Sequence, residues 1–393
     1  MSSLGAGRRL LLVTNDFPPR PGGIQSFLHG VVSRLDPDEV VVFTSRWRGW
    51  EQWDAQQPFR VIRHDTEMML PNPAVRRRAV EVFREHGCTD VWFGAAAPLG
   101  LLAPALREAG AQRIVASTHG HEIGWGRVPG FRHALRRIAG DVDVLTYLGD
   151  YTRVRLAAAI GSDADKLQRL APGVDTELFN PTVDGSARRA ELGWIDRPVV
   201  VCVSRLMPRK GQDVLVRALP EIRREVGDVG LLLVGGGPAR SRVESLAKEH
   251  GVTEHVHITG SVPFDQLASW YRAGDVFAMP CRERLNGLDV EGLGMVFLEA
   301  AACGLPVVAG RSGGSTDALI DGETGALVDG NQPEEVAQAV AGVFADQARA
   351  AAMGKRGRDW VTEKWTWDDV VASLQGFVKG DRRPDGGRFS QPS

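Results

Sequence analysis

The sequence predicts an α/β fold of two Rossmann-like parallel-sheet domains facing a central cleft. Three observations predict it. Short Val-, Ile- and Leu-rich runs alternate with longer amphipathic segments. The alternation breaks off near residue 178 and then restarts. The 393 residues are also more than one hydrophobic core usually organises. Strand–helix alternation calls for parallel pairing, because parallel neighbours need a crossover long enough to hold a helix.

In chain order, "RLLLVT", "VVVFTS", "DVWFGA", "RIVAST" and "DVLTYL" read as strands of a first domain over residues 1–178. Their near-continuous apolar character marks strands covered on both faces. "IQSFLHGVVSRL" and "LLAPALREAG" between them carry helical periodicity. "PGVDTELFNPT" interrupts the rhythm with prolines and turn residues, and a short helical "GSARRAELG" follows. "PVVVCVS", "GLLLVGG", "HVHITG", "DVFAMP", "LPVVAG" and "GALV" then read as the strands of a second domain over 179–361. A last helix over 362–379, containing "WTWDDVVASLQGFV", is followed by a polar tail over 380–393 that reads as disordered.

Composition removes several classes. The formal net charge of −2 argues against a nucleic-acid binder, whose surface would lean basic. The four cysteines lie far apart with no Cys-x-x-Cys pair, which excludes a zinc ribbon or disulfide framework and fits a reduced, cytoplasmic protein. The "RRLLLVTND" start has too short an apolar run for a signal peptide, and "FGAAAPLGLLAPAL" is broken by Pro98 and Pro104.

Ligands of doubly wound sheets bind at the carboxyl ends of the strands, so the residues that follow each strand carry the argument. After the first strand, Gly22 and Gly23 precede a helix and would let a backbone and helix N-terminus approach a phosphate; an ordinary loop explains them equally well. His119 and His121 in "HGHE" follow "RIVAST"; they could act at a site, cap a helix or be satisfied in the core, and no third metal ligand stands at a recognisable spacing. "SRLMPRKGQD" brings Arg205 and Lys210 out of an apolar strand, where a bidentate guanidinium and a point charge suit a diphosphate. The glycines of "VGGGPAR" are read as a tight strand–helix turn.

"EGLGMVFLEAAACGLPVVAG" sets Glu291 and Glu299 in an otherwise apolar stretch. An uncompensated buried carboxylate costs several kcal/mol, about 2–7 for a polar group without a partner. Eight helical residues span about 12 Å. That is the scale of a sugar–diphosphate–ribose unit, with one acid for each set of hydroxyls and the phosphates held between them.

The Glu-x7-Glu pair, the Arg and Lys five apart and the Gly-Gly loop together resemble the GT-B retaining glycosyltransferases, and the resemblance runs to about residue 379. "TNDFPPRPGGIQSFL", "ASTHGHEIGW" and "GLDVEGLGMVFLEA" are similar to the actinobacterial branch that uses GDP-mannose and phosphatidylinositol monomannoside. This resemblance implies that Glu291 holds the donor hexose and Glu299 the ribose, while Arg205 and Lys210 neutralise the diphosphate. It implies that the backbone at Val262 reads the guanine edge, Gly23 approaches the phosphates, His119 contacts mannose and Gln25 faces the inositol. It also implies same-face displacement without an enzyme nucleophile, no catalytic metal and no other cofactor.

The last implication concerns place: a cytoplasmic protein attached peripherally to the anionic inner face of the plasma membrane. "PGFRHALRRIAG" has Phe131, Ala134, Leu135 and Ile138 at helical spacing, with Arg132, Arg136 and Arg137 opposite; "NPAVRRRAVEVFREHG" repeats the pattern. For each helix, an apolar stripe packed on the sheet with solvated arginines is the plainer alternative. Other readings also stay open: a GT-B transferase with another donor and a soluble acceptor, an epimerase, or a non-catalytic nucleotide-sugar sensor. A nicotinamide oxidoreductase would need Gly-x-Gly-x-x-Gly after the first strand, which is missing.

Overall fold

The computed structural model describes residues 3–120, 122–126 and 128–381. His121 and the tail from 382 onward lie outside the described residues. The chain divides into two compact units. One contains the chain up to Gly173 and the helix Trp367–Lys379; the other runs from Val174 to Thr366.

The first unit holds seven strands: β1 (Leu10–Thr14), β2 (Val40–Ser45), β3 (Arg60–His64), β4 (Asp90–Phe93), β5 (Arg113–Ser117), β6 (Val144–Tyr147) and β7 (Leu167–Arg169). Their order is β3-β2-β1-β4-β5-β6-β7. All pairs are parallel, with Leu10 opposite Val40 on one side and Asp90 on the other. The second unit holds six: β8 (Val199–Val203), β9 (Gly230–Val234), β10 (Val256–Gly260), β11 (Val276–Met279), β12 (Val307–Gly310) and β13 (Gly325–Val328). They are ordered β10-β9-β8-β11-β12-β13. Both are doubly wound sheets, with the order reversing at β1/β4 and at β8/β11, where such sheets open a crevice at their carboxyl ends.

Alternation within the first sheet explains its apolar runs. Leu10 and Leu12 face a core shared with the helix Gly23–Val32, whereas Leu11 and Val13 face a second core on the opposite side. Every residue of β1, β2, β4 and β6 is therefore buried whichever way it points, and no exposed face is left to mark the period. β3 and β7 escape the sequence reading because they are edge strands. "RVIRH" is only partly buried and "LQR" is three residues long, so neither shows an apolar run.

The segment expected as one helix over 362–379 is two pieces. Residues 362–364 end the helix Gln347–Lys364, and a new helix starts at Trp367. Val370, Val371, Leu374, Phe377 and Val378 recur at helical spacing and join the core beside Leu10 and Leu12. Arg8 secures the far end, donating to the Val378 carbonyl at 2.9 Å and to Asp90 at 2.8 Å.

Candidate active site

In the second unit the loops following β8 and β11 meet at the switch point. Gly211, with φ +79, lies so close to the loop after β11 that a Cβ there would sit 2.0 Å from the Pro280 carbonyl oxygen. Three ion pairs tie the two loops: Arg282 to Asp213 at 2.9 Å, Arg209 to Asp289 at 3.3 Å and Lys210 Nζ to Glu291 at 2.5 Å. The "VGGG" turn is part of this packing, because a Cβ on Gly235 or Gly237 would lie 2.2 or 2.4 Å from the carbonyl oxygens of Ser204 and Leu206.

Glu291 is gripped from behind. Its backbone N–H donates to Ser312 Oγ at 3.3 Å, and its carbonyl accepts from Gly314 N–H at 2.8 Å. A Cβ on Gly313, at φ +58, would meet that same carbonyl at 2.1 Å. Burial pushes the Glu291 carboxyl upward, but Lys210, then Arg209 and hydrogen bonds, outweigh it and hold the group below the usual carboxylate range.

Arg205 and Lys210 thus differ. Arg205 is exposed, and no hydrogen bond or ion pair engages its guanidinium among the described residues. The Lys210 side chain is only 12% exposed, because it covers the charge of Glu291, itself 8% exposed. A carboxylate so far from water retains its charge only beside a cation.

Glu299 lies on the helix Met295–Ala302, which starts at Gly294. Its Oε2 accepts from the Tyr271 hydroxyl at 2.6 Å. Burial pushes its pKa above the ordinary value, and the Tyr271 bond offsets only part of this. Val262 follows the irregular end of β10, and neither its N–H nor its carbonyl is engaged by another of the described residues.

The first unit places the remaining candidates. His119 follows β5, and its Nε2–H donates to the Gly94 carbonyl after β4 at 2.6 Å. Its backbone N–H donates to Glu122, and its ring stands edge-on to Phe27 at 5.7 Å. Gln25 is buried, donating through Nε2 to Asp16 at 2.8 Å. Gly23 opens the helix Gly23–Val32, and a Cβ there would meet nothing within 4 Å. Packing therefore leaves open space beside that backbone.

Sequence reasoning missed Ser312 and Gly313 against Glu291, Asp289 against Arg209, and Tyr271 against Glu299, pairs that lie 21 to 80 residues apart in the chain. It also missed Arg63 on β3. That side chain is 2% exposed, pairs with Asp54 at 2.7 Å and donates to the Pro18 carbonyl at 2.6 Å, fixing the loop after β1. The "RSGGS" cluster after β12 was the available signal for the grip on Glu291. Among the described residues no three His, Cys, Asp or Glu side chains gather as a metal site would require.

Comparisons with known proteins agree with this arrangement. The family described as Glycosyl transferases group 1 matches residues 186–360, and Glycosyltransferase Family 4 matches residues 21–178. A GDP-mannose-dependent alpha-(1-6)-phosphatidylinositol monomannoside mannosyltransferase of Mycolicibacterium smegmatis is 53% identical, over 95% of this chain and 99% of its own. A Corynebacterium glutamicum mannosyltransferase, named for the monoacylated form of that acceptor, is 42% identical over 97% of this chain and 100% of its own. Among solved structures, Anabaena HepE in complex with UDP superposes with a TM-score of 0.80 at 19% identity, covering 95% of this chain and 100% of that one. The fold is that of GT-B enzymes, and with relatives this similar along their whole length the chain belongs to the same GT-B glycosyltransferase family as these mannosyltransferases.

Proposed function

We propose that the protein is a retaining α-mannosyltransferase that moves mannose from GDP-mannose to phosphatidylinositol monomannoside, placing the second mannose on the inositol ring. The observation that carries this reading is the 53% identity spread over 95% of the chain. The donor diphosphate is neutralised by Arg205 and Lys210. As the bond from mannose C1 to the β-phosphate oxygen breaks, negative charge passes to GDP, and these cations stabilise it. The acceptor hydroxyl forms its bond to C1 on the face the diphosphate leaves, and its proton passes to an oxygen of the departing phosphate. Glu291 accepts from mannose hydroxyls and Glu299 from ribose hydroxyls. The free backbone groups of Val262 suit the guanine edge, the open backbone at Gly23 suits the phosphates, His119 contacts mannose, and Gln25 faces the inositol.

The deciding experiment uses radiolabelled GDP-mannose and a phosphatidylinositol monomannoside extract. Label should enter the lipid phase as one added mannose. No lipid label, or transfer from another nucleotide sugar instead, would overturn the reading. Calorimetry tests the two acids: Glu299→Ala weakens GDP and GDP-mannose alike, whereas Glu291→Ala leaves GDP affinity nearly intact and removes transfer. Equal loss of GDP binding would reverse the assignment.

Delivery to a lipid acceptor calls for peripheral attachment at the inner face of the plasma membrane. Among the described residues no helix is long and apolar enough to cross a bilayer. The helix Pro129–Asp141 divides its apolar stripe: Leu135 and Ile138 are buried, but Phe131 stays 51% exposed. Arg132, Arg136 and Arg137 are exposed, the first two each donating through Nε to a backbone carbonyl. This mixed basic and apolar face supports attachment to anionic lipid. In the helix Pro73–Glu85, Arg78 is paired with Glu81 and Glu85, which leaves Arg76, Arg77 and Arg84 for the same role.

A further inference from the structure

Beside the acid assigned to ribose stands a residue that no motif signals. The Tyr271 hydroxyl donates to Glu299 Oε2 at 2.6 Å. The tyrosine is wholly buried, with its ring edge-on to Phe179 at 5.7 Å and tilted against Phe277 at 5.8 Å. Packed on both sides, the ring has one rotamer, so the hydroxyl is a fixed point against which the longer Glu299 side chain is set. The stretch from Val262 to Tyr271 therefore carries the group assigned to the base at one end and the partner of the ribose acid at the other.

We propose that Tyr271 is a positioning residue for nucleoside diphosphate recognition: its hydroxyl anchors one oxygen of Glu299, so that the other oxygen is presented to the vicinal ribose hydroxyls. The proposal rests on the reading of Glu299 as the ribose acceptor. A charged carboxylate accepts at both oxygens, whereas protonation turns one oxygen into a donor. Burial favours the protonated form of Glu299, and the Tyr271 bond opposes that. The other groups nearby cannot replace it. Cys303, at the end of the same helix, and Cys202 on β8 are thiols that burial pushes up to about 12, and Arg272 and Arg358 act on Cys303. Burial, with Glu299 adding to it, also pushes the Tyr271 hydroxyl well above its ordinary value, so it remains a donor.

Tyr271→Phe removes one oxygen and keeps the ring. In calorimetry on the full chain at about pH 7.5, GDP and GDP-mannose should both bind about ten-fold more weakly, the scale of one hydrogen bond to a charged group. The deficit should widen at about pH 6, as the unsupported carboxyl takes up its proton, while kcat at saturating donor is kept. An equal loss at both pH values with a lowered melting temperature would make Tyr271 merely structural and overturn the proposal, as would native GDP affinity. Glu299→Gln separates the two ways of failing. If it binds GDP as the native protein does, the ribose reading itself falls; if it weakens GDP while Tyr271→Phe does not, only the role of Tyr271 falls.

Discussion

Arg205 and Lys210 leave the same strand end, yet removing them exposes different things. On the proposed reading each supplies a cation to the diphosphate, so Arg205→Ala and Lys210→Ala should each lower turnover by about two to three orders of magnitude. Only Lys210→Ala should also destabilise the fold, by about 3–5 kcal/mol, because it leaves Glu291 charged, buried and without its partner. The pH dependence follows from the direction of the Glu291 shift. Its folded pKa is lowered, so the stabilisation is fully present above the unfolded value of about 4.3 and is lost as pH falls through the lower folded value. The melting-temperature gap between native protein and Lys210→Ala should therefore be wide at neutral pH and close below about pH 4. A gap of the same width throughout, or melting equal to that of Arg205→Ala at neutral pH, would mean the pair contributes nothing to stability.

At the scale of an element, the helix Trp367–Lys379 docks on the helix Gly23–Val32 through a glycine. A Cβ on Gly30 would lie 2.5 Å from the Trp367 ring, which is also stacked on Phe27 and covered by Arg34 at 4.7 Å. Two effects compete in Gly30→Ala. Alanine is worth about 1 kcal/mol more than glycine inside a helix. The clash with a ring held on three sides outweighs it, since overpacking costs about 1–3 kcal/mol. Gly30→Ala should lower the melting temperature, and adding Trp367→Ala should remove most of that penalty in a double-mutant cycle. A raised melting temperature for Gly30→Ala would mean that the ring yields freely. Phe377→Ala, at the other end of the helix, should cost about 3–5 kcal/mol as a fully buried aromatic.

For the molecule as a whole, the charge that matters is local. A net charge of −2 gives no general attraction to anionic surfaces, so vesicle binding must come from a basic face. Vesicles containing phosphatidylinositol should bind the protein, bind it less as salt rises, and lose most of it when Arg132, Arg136 and Arg137 become Ser. Salt-insensitive binding, or none at low salt, would mean that the acceptor is reached by another route. If Arg205 and Lys210 supply the positive charge at the diphosphate, as proposed, a chelator should leave transfer unchanged. Restoration by magnesium or manganese of activity lost to a chelator would assign part of that charge to a metal.

What could be read along the chain was whatever a local stretch must declare. Of the second sheet's strands five were legible as compact apolar runs and β10 as the alternating "HVHITG", and Arg205, Lys210, Glu291 and Glu299 stood out as charges at the ends or within such runs. Edge strands β3 and β7 were not, since a strand with a half-exposed face and polar residues looks like a loop. Nor was it legible that Lys210 covers Glu291, 81 residues away, that Tyr271 anchors Glu299, 28 residues away, or that Ser312 holds the Glu291 backbone. The residue types suited to a sugar nucleotide were thus decided by the sequence, through composition and period. Which acid is paired with a lysine and which with a tyrosine was decided only by the parallel order β9-β8-β11-β12, because strand order brings together loops whose spacing in the chain carries no sign of their meeting.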